Sequence, residues 1–354
     1  MKIKNILILA IFTTMILFSC QEKELLIDQA SSESTLQNDY PLITFARVVE
    51  GRLVFENKEK FDEAIDILFN NQDKLDGFEN QFPGFISAQM AFDEFINQLN
   101  EVFILEELQG NEEMDENHFL KLVESKSFVQ IVEEDGELFM EEVVHCSLLS
   151  KVLNADRIVQ IGQSVFKFTP SQTLEYDVAD LISGQILSAE IQPVQAYINY
   201  REILETTKQG LYGVTSCYKN YASRYRRVRG RIESSNSFLS GVKLGFSTTS
   251  YRRPCRGSLC IWTRRSVYEI GLFANGTWSS RERDPEVTPE WTYMGPFDFD
   301  VIAWKNNSSK IEYYVHNGPW LPNFDYQVFF NNYSSNHNLR RNQNSEFQEC
   351  FLLK

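Results

Sequence analysis

Apolar residues in the first half of the chain recur mainly at helical spacing. Residues three or four positions apart share one face of a helix, so three such sets each predict an amphipathic helix. Asn57 is a suitable N-cap residue for the first of them. The sets are Phe61, Ile65, Leu68 and Phe69; Ile86, Met90, Phe95 and Leu99; and Phe119, Leu122 and Val123.

Other segments of the same half are short apolar runs separated by turn residues, which predict β-hairpins. These segments are residues 47–55, 128–144 and 157–168, with turns at Gly51-Arg52, Asp135-Gly136 and Gly162-Gln163. A short helix is predicted over residues 147–153. We therefore expect residues 41–210, including a connecting segment after residue 177, to form an acidic α+β module with helices packed on a small antiparallel sheet.

The second half is patterned differently, because its apolar runs are short and are separated by Gly, Asn, Ser and Pro clusters. Predicted strands lie at residues 226–232, 241–248, 258–263, 266–273, 297–304, 310–315 and 326–330. Many short strands with such turns are typical of a sandwich or a barrel. Residues 211–354 are thus predicted to be an all-β domain, an antiparallel β-sandwich or jelly-roll-like fold, that folds alone.

The N-terminal residues have the pattern of a lipoprotein signal. Two lysines precede an apolar run at residues 6–18, and Leu17-Phe18-Ser19 precedes Cys20. A transmembrane helix needs about 20 apolar residues, so this run is too short to span a bilayer. We expect residues 1–19 to be a signal peptide, Cys20 to carry lipid, and the polar residues 20–40 to be a flexible tether.

Charge supports a division between the two halves. The net charge is −15, but residues 21–210 hold 13 Lys and Arg against 37 Asp and Glu, whereas residues 211–354 hold 19 against 12. Such an asymmetry favours two modules, which either attract each other or face different partners.

Five cysteines follow Cys20, and an exported protein can form disulfides. Cys255 and Cys260 flank a possible hairpin turn, and Cys217 and Cys350 lie near the two ends of the second half. We expect a Cys255–Cys260 bond, and a Cys217–Cys350 bond would leave Cys146 as a buried thiol, although sequence alone does not fix the connectivity. Without a CxxC pair and with scattered histidines, a metal site is not predicted.

The order of these features resembles uncharacterised lipoproteins of Bacteroidota. The resemblance lies in the signal ending at Cys20, in Arg52-Leu-Val-Phe55 before a helix, and in Val152-Leu-Asn154 leading to Ile161-Gly-Gln-Ser-Val165. It implies a lipid-anchored protein of the cell envelope, at the outer membrane. Acidic residues directly after Cys20 resemble a surface-export signal. The resemblance implies no activity.

Candidate chemistry is confined to binding residues. The chain has no G-x-S-x-G, H-E-x-x-H, P-loop or G-x-G-x-x-G pattern, so no catalytic residue, cofactor or metal ligand is assigned. Trp278, Trp291 and Trp320 adjoin turns, and with Tyr293 they are predicted to bind a ligand. Packing in the core is the alternative for each ring, and we expect Trp304 to be a core residue.

Arginines cluster between residues 219 and 265, and those predicted to contact an anionic partner are Arg224, Arg226, Arg227, Arg229, Arg252 and Arg253. A cell-envelope location argues against nucleic acid as that partner. The alternative is that the acidic first half balances these charges.

Three functions remain open from the sequence. The first is a cell-envelope lipoprotein that binds glycan through the C-terminal β domain, with the membrane contacted through the lipid on Cys20. The second is a structural or assembly protein that docks another envelope subunit. The third is a glycoside hydrolase or a related enzyme, which needs two carboxylates across a cleft.

Overall fold

A computed structural model of the protein describes residues 41–109, 116–169, 173–179, 216–221, 225–237, 239, 241–256, 259–283, 290–318 and 325–353. Strands account for 56% of this structure and helices for 23%, so the fold is mostly β, with several sheets and few helices. The predicted signal, tether and connecting segment, together with Cys20, Arg224 and Trp320, lie outside the described residues.

Four α-helices occur among the described residues: α1 (Lys58–Asn70), α2 (Ala88–Gln109), α3 (Glu116–Glu124) and α4 (Ser147–Val152). Two 3₁₀ helices, Gln72–Gly77 and Glu79–Gln81, follow α1. The side chain of Asn57 caps α1 by accepting a hydrogen bond from the backbone N–H of Lys60 at 3.0 Å. The four predicted helices are therefore confirmed. None of the described helices is both long and apolar enough to cross a membrane.

The buried face of α2 differs from the predicted one. Phe92, Phe95, Ile96 and Leu99 are buried, whereas Met90 is 42% exposed and Ile86, which precedes the helix, is 50% exposed. The prediction was wrong at these two positions because they match the helical spacing of Phe95 and Leu99 only approximately. The buried face instead begins at Ala88, which is 4% exposed, and continues through Phe92.

Seventeen strands lie within the described residues. They are β1 (Ala46–Val49), β2 (Arg52–Phe55), β3 (Val129–Glu134), β4 (Glu137–Glu142), β5 (Ile158–Ile161), β6 (Ser164–Phe168), β7 (Thr173–Asp177), β8 (Ser216–Asn220), β9 (Arg226–Ser237), β10 (Gly241–Arg252), β11 (Cys255–Arg256), β12 (Leu259–Arg264), β13 (Val267–Arg283), β14 (Thr292–Ser308), β15 (Lys310–Gly318), β16 (Asp325–Arg340) and β17 (Gln348–Leu353).

The first half contributes strands to two sheets. A five-stranded sheet has the order β1-β2-β5-β6-β7, with β2 and β5 parallel, and it packs against α1 and α4. The hairpin β3–β4 turns at Asp135 and Gly136, which both have positive φ as expected for such a turn. This hairpin does not join the five-stranded sheet, so the first half lacks the single antiparallel sheet that we expected.

The hairpin β3–β4 instead extends the sheet of the second half. Its strand β4 pairs in parallel with β12, with Leu138 opposite Ile261 and Phe139 opposite Trp262. The resulting eight-stranded sheet has the order β3-β4-β12-β10-β9-β8, and β11 and β15 pair with β12 and β10. The described residues all belong to one compact unit. The predicted boundary at residue 210 lies outside the described residues.

A four-stranded antiparallel sheet, in the order β14-β13-β16-β17, faces the eight-stranded sheet. Between them lies a core that includes Val228 and Phe246 from one sheet and Leu272, Phe330 and Leu339 from the other. Successive residues of a strand point to opposite faces, so the four-stranded sheet also has an outer face directed away from this core.

Two disulfides and one buried thiol agree with the predictions for the cysteines. Cys217 of β8 is bonded to Cys350 of β17, which ties the two facing sheets together. Cys255 and Cys260 are bonded across the β11–β12 pair, and Cys146 is a buried free thiol.

Candidate functional site

The arginines of β9 contact the acidic hairpin β3–β4. Arg227 is 5% exposed and donates to Glu137 at 2.6 Å, and Arg229 is 7% exposed and pairs with Glu134. Their charges are neutralised within the protein and little surface is left for an external anion. The prediction that Arg227 and Arg229 contact an anionic partner is therefore wrong.

The remaining arginines of that prediction have different environments. Arg252 is 7% exposed and lies over the ring of Phe103. Burial therefore also excludes Arg252 from contact with an external anionic partner. Arg253 is half-buried and pairs with Glu137 at 3.3 Å. Arg226 is half-buried, and its contact with an anionic partner stays a prediction.

Glu141 lies at the centre of this buried network of charges. It is 2% exposed, accepts a hydrogen bond from the hydroxyl of Tyr251, and lies 3.3 Å from a nitrogen of Arg264 and 3.4 Å from one of Arg231. Burial alone would raise the pKa of Glu141, but the two guanidinium groups and the Tyr251 hydroxyl hold it well below its usual range. The network therefore keeps this carboxylate ionised.

The described aromatic residues of the predicted ligand site lie at two places. The half-buried ring of Trp278 packs against Phe297 at 4.5 Å and against His316 at 4.4 Å, measured between ring centroids. Trp291 lies beneath Arg281 and Arg283, whereas Tyr293 is 62% exposed and accepts a hydrogen bond from Arg281 at 3.1 Å. Arg281 links Trp291 to Tyr293, and Trp278 belongs to a different cluster.

Trp304, which we expected in the core, lies on the outer face of the four-stranded sheet and is 41% exposed. Val301 and Ala303 face the core, so the strand's alternation directs Trp304 outward. Its ring contacts Phe273 and Phe347 at centroid distances of 5.0 and 5.8 Å. Tyr293 lies eleven residues away on the same strand, or about 37 Å at 3.4 Å per residue, so the two rings mark separate surfaces.

Other apolar side chains share this outer face. Ile302, Phe351 and Leu353 are 68%, 56% and 66% exposed. The register places Ile302 opposite Phe273, Phe351 opposite Asn336, and Leu353 opposite Ser334. The outer face is therefore partly apolar.

Trp304 also borders a cleft of about 410 Å³. The cleft is lined by α2, the 3₁₀ helix Gln72–Gly77, α4, the end of β12 and residues 304–310, and most of the lining is polar. Ligand sites typically have volumes of about 300–1,000 Å³. The cleft is thus large enough for a small ligand and rich in hydrogen-bonding groups.

One face of α2 supplies Gln89, Asp93 and Asn97 to the cleft. Their spacing of four residues places them one above another on the helix. Burial raises the pKa of Asp93 to about 6, and repulsion by Glu142 adds to the effect, while Arg264 and Lys151 act in the opposite direction. Sequence reasoning missed these residues, because the helix carries several other polar side chains and its sequence does not set these three apart.

Three of the cations that line the cleft pair with carboxylates behind them. Lys151 pairs with Glu79 at 2.7 Å, and Arg264 pairs with Glu142 at 2.6 Å. Lys310 similarly pairs with Glu312 at 2.7 Å. In the part of the chain that the structure describes, no group of three or more His, Cys, Asp or Glu side chains is arranged to hold a metal ion.

Comparisons of the chain with protein-family models, with curated proteins and with solved structures found no match. The resemblance to Bacteroidota lipoproteins therefore stays a prediction, and arguments about function rest on the geometry alone.

Proposed function

We propose that the protein is a lipid-anchored binding protein of the cell envelope, and that it binds glycan at the cleft bordered by Trp304. The observation that carries the proposal is an exposed indole ring at the rim of a polar cleft. A sugar has apolar C–H faces and many hydroxyl groups. An aromatic ring can stack on the apolar C–H faces, and a lining of amides, hydroxyls and charged groups can hydrogen-bond with the sugar hydroxyls.

The proposed fold assignment is a β-sandwich formed by the four-stranded sheet and the facing part of the eight-stranded sheet, with the helices of the first half packed beside it. The shared core between the sheets and the disulfide between β8 and β17 support the sandwich. In this arrangement the glycan site lies at the junction of α2 with β12 and β14. The α+β description of residues 41–210 remains part of the proposal.

The proposed site differs from the aromatic set predicted from the sequence. Trp278 and Trp291 are half-buried, and Tyr293 is well separated from the cleft. Trp304 replaces them because it combines exposure with a neighbouring polar cleft.

Substitution Trp304→Ala should weaken glycan binding by about tenfold or more, which corresponds to about 1.4 kcal/mol. Trp304 is the one aromatic side chain among the described residues that line the cleft, and alanine cannot stack on a sugar. Glycan-array screening of the parent protein would identify the ligand, and calorimetric titration would then compare the affinities.

Tyr293→Ala is the matched control, since Tyr293 is an exposed aromatic residue on the same strand. We expect it to bind glycan as the parent protein does. Equal affinities of Trp304→Ala and the parent protein would contradict the proposed site, and an array without signal for the parent would contradict glycan binding itself.

Substitution Cys20→Ser should release the protein from the membrane fraction, because the acyl chains on Cys20 are proposed to supply the anchor. Incorporation of labelled palmitate should be lost together with membrane association. Cys146→Ser is the control, since Cys146 is a buried free thiol in the folded unit and should not affect either measurement. Continued membrane association of the Cys20→Ser protein would contradict the anchor.

The exposed apolar residues of the outer face favour a second candidate function, the docking of another envelope subunit. Ile302 and Leu353 lie on this face and do not line the cleft. The two candidate functions predict different results for the substitution Ile302→Ser. Glycan binding should be unchanged by it, whereas a complex that buries the outer face should be weakened.

A further inference from the structure

Asp93 differs from the other charged groups beside it because it lacks a partner. Lys151, Arg264 and Lys310 face it, but each pairs with Glu79, Glu142 or Glu312. Among the described residues no hydrogen bond or ion pair is made by the Asp93 carboxyl group. These three cations are therefore committed elsewhere, and the Asp93 carboxyl group is left as an open acceptor.

Gln89 provides a second open acceptor one helical turn before Asp93. Its side-chain oxygen Oε1 is buried and has no hydrogen-bond partner among the described residues. A buried acceptor without a partner costs about 1–3 kcal/mol, so such atoms are usually satisfied by something. Two open acceptors on the same face of α2, in the same cleft, indicate that a donor belongs between them.

We propose that the cleft binds an amine-bearing sugar, with its protonated amino group held by the carboxylate of Asp93 and the side-chain oxygen of Gln89. This inference rests on the proposed glycan function and specifies the ligand class for the same site.

The charges around the cleft favour an ammonium group over the other substituents of sugars. A carboxylate or sulfate would be repelled by Asp93 and would find Lys151, Lys310 and Arg264 already paired. A hydroxyl group can donate to Asp93, but it brings no charge to offset that of the carboxylate. The indole ring of Trp304 at the rim also attracts cations through its π face.

Protonation gives this interaction a pH dependence. Four charged groups face Asp93 from the elements packed around it, namely Glu142 of β4, Arg264 of β12, Lys151 of α4 and Lys310 of β15. With a pKa of about 6, Asp93 is mostly protonated at pH 5 and mostly ionised at pH 7. Affinity for the protonated form of the amine should therefore increase between these two values.

Three oligosaccharides of equal length and β-1,4 linkage, built from glucosamine, N-acetylglucosamine or glucose, provide the test. They differ only in the substituent at C2, which is an ammonium, an acetamide or a hydroxyl group. We expect the parent protein at pH 7 to bind the glucosamine oligomer about tenfold or more tightly than the other two. Asp93→Asn should remove this preference and its dependence on pH, measured by calorimetric titration.

Glu94→Gln is the matched control, because it removes one negative charge from an exposed position of the same helix. It should leave the preference unchanged, which separates a specific contact from general attraction of a polycation to an acidic protein. The melting temperature should not fall in Asp93→Asn, since a carboxylate whose pKa is raised on folding opposes folding when it is ionised.

Three outcomes would overturn the inference, and each can be distinguished from failure of the proposed function. Equal binding of all three oligomers, with no effect of Asp93→Asn, would leave glycan binding in place without amine recognition. An equal loss of affinity in Asp93→Asn and Glu94→Gln would show general charge attraction. If no oligomer binds, the amine inference fails, and the array screen with the Trp304→Ala comparison decides the proposed function separately.

Discussion

Substitution Glu141→Gln should lower the free energy of unfolding by about 3–5 kcal/mol, the usual cost of removing one partner from a buried ion pair. The variant keeps the shape of the side chain but leaves Arg231 and Arg264 without its charge. Both guanidinium groups remain within the structure, where water cannot replace the lost interaction. Urea unfolding followed by fluorescence measures the change.

Glu133→Gln is the control, because Glu133 is an exposed residue of the same hairpin. An exposed substitution of this kind usually changes stability by less than about 0.5 kcal/mol. Similar stabilities of the two variants would contradict the view that the buried charges hold the hairpin on the second half.

Acidification tests the same carboxylate in the parent protein. The pKa of Glu141 is lowered on folding, so the folded state binds fewer protons there than the unfolded state. Its stabilising contribution is complete at a pH above the ordinary glutamate pKa of about 4.3, and it decreases as the pH falls toward the folded-state value. The Glu141→Gln variant should therefore lose less stability than the parent protein below about pH 4.

Local signals account for the parts of the fold that were predictable from the sequence. Asn57 caps a helix, and Asp135-Gly136 forms a tight turn, because each acts on residues a few positions away. The Cys255–Cys260 bond follows from a short hairpin for the same reason. Each of the seven strands predicted in the second half overlaps an observed strand, and two of the predicted ranges begin one residue before it.

The pairing of β4 with β12 was not predictable, because more than a hundred residues separate the strands and no local pattern specifies the partner. The same pairing determines the environment of the arginines of β9, because their carboxylate partners lie on the hairpin β3–β4. The prediction that Trp304 is a core residue was wrong for a different reason. Val301, Ile302, Ala303 and Trp304 are all apolar, so alternation gives no indication of which face is outward.

Asp93 could not be singled out among 49 acidic residues. What distinguishes it is that the neighbouring cations are paired with other carboxylates, and those pairs join residues far apart in the chain. The candidate site is therefore a property of tertiary packing, and Trp304 at its rim was assigned to the core from the sequence.

A fragment of residues 211–354 should fail to fold as a stable monomer, contrary to the expectation from the sequence alone. In the intact protein the first half covers several large side chains of the second half. Ile261 and Trp262 pair with the hairpin, and Tyr251 packs on Phe139 at a centroid distance of 5.4 Å. The side-chain amide of Gln72 donates to the backbone carbonyl of Tyr314 and accepts from its backbone N–H. Ile261, Trp262, Tyr251 and Tyr314 are each at most 2% exposed.

The expected loss is comparable with the whole stability of a domain. Burial of a large apolar side chain contributes about 1.5–3 kcal/mol, so exposure of four of them costs on the order of 6–12 kcal/mol. Domains are typically stable by only about 5–15 kcal/mol. The exposed edge of β12 would in addition be open to pairing with other chains, which promotes association.

Thermal unfolding followed by circular dichroism and size-exclusion chromatography measure this effect, with a fragment of residues 41–354 as the positive control. Separate addition of a fragment of residues 41–210 distinguishes the cause of failure, because the missing hairpin can then bind in trans. Recovery of a cooperative transition on mixing would show that the shared sheet and the charge network are what the second half lacks. A cooperative transition of monomeric 211–354 by itself would show instead that the core between its facing sheets, with the Cys217–Cys350 bond, is sufficient for folding.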